Sequence, residues 1–108
     1  MICRLWRGWT TPENADEYER IVRSQVIPEI EARNIPGFRH IDLMKRDVGD
    51  EVEFQTLLWF DSLDAIKAFM GEDYSVSHVP PQARAVLKRF DERATHYEVV
   101  DRRVQQSG

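Results

Sequence analysis

The sequence predicts an α+β fold in which one antiparallel sheet carries its helices on one side and meets a second copy of the chain on the other. Three observations lead there. Apolar residues recur first with the period of a strand and then with that of a helix, in the order strand, helix, strand, strand, helix, strand, with an extra helix before the last strand. The later half of Glu51–Phe60 is apolar at both odd and even positions, so both faces of that strand need cover. A chain of 108 residues has enough helix for one face only, and the other needs a partner.

Each element has its own warrant. Ile2 to Trp9 is rich in aromatic and long apolar residues, as a strand requires, and it ends at Thr10-Thr11-Pro12, where a Thr cap and a Pro at the first helical position open a helix. That helix should run to about Arg33, with Ala15, Tyr18, Val22, Val26 and Ile30 on one face. Pro28 lacks an N–H and clashes with the preceding turn, so a kink or a split is expected there. Phe38 to Arg46 and Glu51 to Phe60 form a hairpin around Asp47-Val-Gly-Asp50. Along its second strand Phe54, Thr56, Leu58 and Phe60 project one way and Gln55, Leu57 and Trp59 the other. Gln55, Leu57 and Trp59 are expected to face the helices, leaving Phe54, Leu58 and Phe60 for the partner. Asp61 or Ser62 caps a short helix that ends near Phe69, with Gly71 supplying a left-handed terminus. Pro80-Pro81 opens a third helix carrying Ala83, Val86, Leu87 and Phe90 at helical spacing, and Ala94 to Val100 is the last strand. Two split strand-helix-strand halves of this kind make a ferredoxin-like sheet over residues 1–100, and residues 101–108 are a polar tail expected to fray.

Composition narrows the function classes. With 42% apolar and 31% charged residues the chain is an ordinary globular one, and a formal net charge of −4 argues against binding nucleic acid through its phosphates. The aromatic-bearing strand signature of RNA-binding domains on this fold is missing too, since Glu51-Val-Glu-Phe54 has the wrong sign and order. Cys3 is the only cysteine, and Arg4 and Arg7 interrupt any signal-peptide core, so a cytoplasmic protein with no membrane association is expected.

Four segments carry a resemblance to a known family: Arg4-Leu-Trp-Arg-Gly8 in the first strand, Pro36-Gly37-Phe38 before the second, Leu57-Leu-Trp-Phe-Asp-Ser62 entering the second helix and His96-Tyr-Glu-Val99 in the last strand. Together they resemble the antibiotic biosynthesis monooxygenase-like members of the dimeric α/β barrel superfamily. The resemblance implies a homodimer, a pocket between sheet and helices, and, in the quinone-forming members, oxygenation of phenols without any cofactor. It implies that Trp59 lines the pocket, that Gln55 stands where those members place an Asn, and that His78 is the nearest polar residue to a position they fill with Arg. Other members degrade haem, using a His after the second helix, an Asn in the first strand and a Trp in the second helix. His78 matches the first of these, but Trp6 or Arg7 and Phe69 occupy the other regions.

The expected site is therefore His78 and Gln55 as catalytic contacts and Trp59, Trp6 and Arg4 as substrate-binding residues, around a small aromatic or apolar ligand. Trp59 either lines a cavity or fills it. Arg4 shares a face of the first strand with Trp6. If that face meets the helices, it is a buried cation needing a carboxylate or an anionic ligand; otherwise it pairs across the dimer. His40 and His96 sit two residues from Asp42 and Glu98, each a candidate for orientation by its carboxylate. No two of His40, His78 and His96 show metal-ligand spacing, and no metal is expected. The leading expectation is a cofactor-independent monooxygenase; the alternative is a non-catalytic ligand-binding or stress-associated barrel.

Overall fold

The computed structural model describes residues 1–106, which form one antiparallel sheet with every helix on a single side. Strands β1 (Ile2–Thr10), β2 (Phe38–Asp47) and β3 (Val52–Phe60) lie in the order β2-β3-β1, and β4 (Arg89–Phe90) and β5 (Thr95–Glu98) share the free edge of β1. This is the ferredoxin-like order. Among the described residues, no helix is long and apolar enough to cross a membrane.

The long helix over residues 12–32 begins where Thr11 accepts from the Asn14 amide at 3.3 Å and Pro12 occupies the first position. Pro28 stands in the first turn of a separate final segment, Ile27–Ala32, and the break lies ahead of it: Val22–Val26 forms a π turn, with the Ile27 amide donating to the Val22 carbonyl. The wide turn also serves the packing. Tyr18, Val22, Val26 and Ile30 recur every four residues, a repeat that overshoots each turn of an ordinary α-helix by about 40°. A π stretch holds more residues per turn and brings the four side chains back over the sheet.

Three expectations are corrected. The helix opened by Pro80-Pro81 ends at Arg84, and Phe90 lies in a strand. The exposed edge of β1 decides this: Lys88 donates to the Trp9 carbonyl at 2.8 Å and Asp91 to that of Arg7 at 2.9 Å. Val86 and Leu87 keep single turn bonds to the Ala83 and Arg84 carbonyls, and beyond them sheet bonds at that edge replace the helical continuation that Phe90 had suggested. Secondly, Gly71 ends Leu63–Met70 with φ +90° and ψ −168°, a glycine conformation but not the left-handed helical one. Ser62 caps that helix as expected, accepting from Ala65 at 3.2 Å. The third correction concerns the faces of the sheet. Phe54 and Phe60 are 0% exposed and pack, with Leu58, against Tyr18, Ile66 and Phe69 under the helices. Gln55, Leu57 and Trp59 are half-buried on the opposite, helix-free side.

That opposite face is not bare of apolar groups. Register places Leu5 beside Leu57 and Met44 beside Gln55, and Met44 and Tyr97 are 45% and 55% exposed. The polar tail lies back over it in part, with the Arg102 guanidinium 4.8 Å from the Trp59 ring centre. The expectation of a frayed tail falls outside the described residues for 107–108.

Candidate functional site

The cross-strand register builds the floor of the site. His96, Arg4, Leu58 and Ile41 form one row across β5, β1, β3 and β2, and Trp6 and Thr56 belong to the next row on the same face. The wall is the stripe Tyr18, Val22, Val26 and Ile30, and the rim is Phe69 with His78, Val79, Pro80 and Ala83. Between floor and wall is an almost wholly apolar cavity of about 50 Å³. Val26, His78, Val79 and Pro80 also border an outer groove of about 360 Å³, whose polar side is Gln25, Glu29 and Arg33. The rim thus lies between an apolar chamber and a more polar groove.

The rim is held from two directions. The segment 71–80 is tied to the connection between β4 and β5, where Ser77 donates to the Glu92 carbonyl at 3.0 Å and Ala94 to that of Ser75 at 2.7 Å. From the floor, Arg4 donates to the carbonyls of Tyr74 at 2.5 Å and Val76 at 2.8 Å. Trp6 lies along the floor with its indole N–H given to the Asp91 carbonyl at 2.7 Å, and its ring fills the space that a side chain at Gly8 would take.

Two polar groups of this chamber are unusual. Arg4 is 3% exposed and, among the described residues, has no salt bridge to a carboxylate. Its remaining hydrogen-bond neighbour is His96, whose Nε2 lies 3.2 Å from Arg4 Nη1 and must accept that bond, which leaves the proton on Nδ1, and the guanidinium stands 5.8 Å from the Phe69 ring centre. Burial alone pulls the Arg4 guanidinium down to about 10. His78 is the second. Its Nε2 is buried without any hydrogen-bond partner, since the nearest acid, Glu29, is 4.0 Å away and beyond hydrogen-bond reach. The ring stands edge-on to Phe69 at 5.3 Å. Burial first, then Arg33 and Arg4, holds the imidazole below its ordinary pKa against the opposing pull of Glu29. His96 is lowered as well, by burial and then by Arg4.

Both histidines therefore link folding to pH with the same sign. An unfolded imidazole takes its proton near 6.5, and the folded one only below that, so stability is complete above about pH 6.5 and declines as pH falls from there towards the folded values. Denaturant titrations between pH 7.5 and 5 should show this decline, and His78→Gln should make it shallower. An equally steep decline in that variant would assign it to other groups.

The structure brings together three of the five residues singled out from sequence. Arg4, Trp6 and His78 line one cavity. Gln55 and Trp59 are separated from it by the sheet itself, because odd positions of β3 face the helix-free side. Trp59 donates its indole N–H to Asp42 at 2.9 Å and sits 5.3 Å from His40. His40 lies 3.7 Å from the same Asp42 on that exposed face, whereas His96 is oriented by Arg4 rather than by Glu98. Among the described residues, no group of three or more His, Cys, Asp or Glu is placed to hold a metal. Sequence reasoning missed Thr56 and Phe69 as lining residues, although the alternation on β3 had put Thr56 beside Phe54 and Leu58.

Solved structures similar to this one share the fold. A Bacillus cereus protein assigned to antibiotic biosynthesis monooxygenases has a TM-score of 0.65 and 13% identity, over 99% of this chain and 98% of that one. MhuD of Mycobacterium tuberculosis, a haem degrader with two haems in its active site, has a TM-score of 0.61 and 18% identity, over 96% and 100%. Rv0793 of the same organism has 0.56 and 18%, over 94% and 96%. At these identities the likeness concerns architecture alone. No curated protein matches the sequence. The family model described as antibiotic biosynthesis monooxygenase matches residues 1–80, most of the chain and all of the floor except β5, and the chain belongs to that family.

Proposed function

We propose that the protein is a cofactor-independent monooxygenase that binds a small phenol or enol between sheet and long helix and passes it to molecular oxygen. The observation that carries this reading is His78: a buried, neutral imidazole nitrogen without a partner, on the rim of an apolar chamber. In the tautomer that carries its proton on Nδ1, Nε2 is a free base at the rim for an acidic hydroxyl of a ligand. Deprotonation makes the substrate electron-rich enough to reduce oxygen itself. In the balanced reaction a phenol and O2 give a quinone and water: the ring loses four electrons, one oxygen atom becomes the new carbonyl and the other leaves as water. The protein's share is to remove the proton, exclude solvent and hold the anion beside oxygen.

Size sets a condition on this reading. A cavity of about 150 Å³ accepts benzene, and this one offers about 50 Å³. The rim at His78–Pro80 must therefore swing into the outer groove when a ring enters, and Trp6 is the tryptophan that meets it. A hydroxynaphthalene is expected to quench fluorescence in the parent and in Trp59→Phe, and to lose most of its effect in Trp6→Phe. Loss in Trp59→Phe instead would move the ligand to the other face. A haem macrocycle demands far more opening than one ring, and with haem and a reductant no bilin-like product is expected; its appearance would reassign the chemistry.

The homodimer belongs to the same proposal. Leu5, Leu57, Met44 and Tyr97 supply the apolar surface, and pairing through it leaves the pocket on the outside of each sheet, free to exchange ligand. A ligand-binding barrel without turnover is the second reading; it predicts the same quenching with no oxygen uptake.

A further inference from the structure

Arg4 is a cation buried beneath an apolar cavity, and nothing in the catalytic reading so far uses its charge. Burying a guanidinium without a carboxylate is costly, and partial compensation by carbonyls does not neutralise it. Tyr74, Val76 and His96 engage three of its five N–H donors, so two remain. Arg4 nonetheless lines the chamber, in the row of the floor between His96 and Leu58. The other lining groups are apolar side chains, the Tyr18 and Thr56 side chains and neutral His78, so the chamber holds one positive charge and none of the opposite sign.

We propose that Arg4 is a specificity-determining residue that seats an anionic oxygen of the ligand, so that the pocket selects aromatic acids over neutral rings of the same shape. This deepens the ligand-pocket reading above and rests on it. The two unused donors at the floor would take the anionic oxygen, while the ring lies between Trp6 and the helix stripe. The same contact orients a substrate: a carboxylate or phenolate fixed at the floor leaves the opposite end of the ring towards the rim, where His78 waits. A purely structural Arg4, serving only to hold the Tyr74 and Val76 carbonyls, would show no preference for ligand charge.

The test compares two isosteric probes, benzoate and benzamide, by calorimetry at pH 7. Exchanging a neutral hydrogen bond for a charge-assisted one is worth roughly a tenfold difference in Kd. Benzoate is therefore expected to bind about ten times more tightly than benzamide in the parent protein. Arg4→Met should bring the two within about twofold, and Arg4→Lys should restore part of the preference. Phenol, neutral at pH 7, should behave like benzamide, whereas 4-nitrophenol, which ionises near neutral pH and well below Arg4, should gain affinity as it ionises, which separates a phenolate from a carboxylate as the anion. Equal binding of benzoate and benzamide by the parent overturns this proposal alone, and it does so whether or not Arg4→Met folds. Discrimination that survives in a folded Arg4→Met also overturns it, by placing the anion elsewhere. Binding of neither probe overturns it together with the pocket reading beneath it.

Discussion

Phe54→Asp is expected to leave no folded protein, whereas Leu57→Asp, three residues along the same strand, is expected to leave the fold intact and abolish the dimer. Phe54 is fully buried, with its ring 4.7 Å from that of Tyr18 in an edge-on pair. A carboxylate there loses the aromatic packing and is buried, while its cross-strand neighbour Lys45 is already paired with Glu19; each of these effects costs several kcal/mol. A domain of this size is stable by about 5–15 kcal/mol, so the combined loss takes most or all of it. Leu57 points to the helix-free face beside Leu5, where a carboxylate stays hydrated in the monomer but must be buried on pairing. Circular dichroism would follow the first variant and light scattering the second. A folded Phe54→Asp, or an unfolded Leu57→Asp, would mean that the faces of β3 are reversed.

His78→Ala should lower turnover by about a hundredfold or more, the usual contribution of a general base, while changing ligand affinity far less. The reason is geometric. Nε2 of His78 has no structural partner to release, so its removal costs the fold little, and its contact with the hydroxyl matters most as the proton leaves. A loss confined to KM would make His78 a binding residue only.

Much of the architecture was legible because it rests on local chemistry. Thr11-Pro12, Ser62 and the Asp47–Asp50 turn punctuate the chain by capping and by φ preferences that tertiary structure rarely overrides. Phe90 was misread for the opposite reason: its helical spacing is real, but the unpaired edge of β1 is a long-range partner that no local window contains. The same limit hid the π turn, which exists so that a four-residue repeat can keep facing the sheet.

The exchanged faces of β3 are more instructive for the site. Both sets of side chains are apolar near Phe60, so the choice rests on the first half of the strand. There Glu53 and Gln55 share a face with Leu57 and Trp59, while Phe54 and Thr56 share one with Leu58 and Phe60. The drier set belongs under the helices, and weighing Glu53 and Gln55 would have placed it there. Arg4 and His78 were legible as residues and not as neighbours. Their meeting depends on the Ser75–Ser77 segment pairing with Glu92–Ala94, a contact that the sequence does not announce.

In the proposed reaction the chamber over Arg4 and Trp6 turns an acidic aromatic over with oxygen at the expense of the substrate's own electrons. The direct measurement is oxygen uptake by the purified, metal-free protein with 1,5-dihydroxynaphthalene, which becomes a quinone only by gaining an oxygen atom, monitored together with quinone and hydrogen peroxide. One O2 consumed per quinone with no hydrogen peroxide released, without added flavin, haem or metal and largely lost in His78→Ala, is the predicted result. Uptake that needs an added cofactor, or a parent protein that binds the ring and consumes no oxygen, would contradict it and leave a binding barrel in its place.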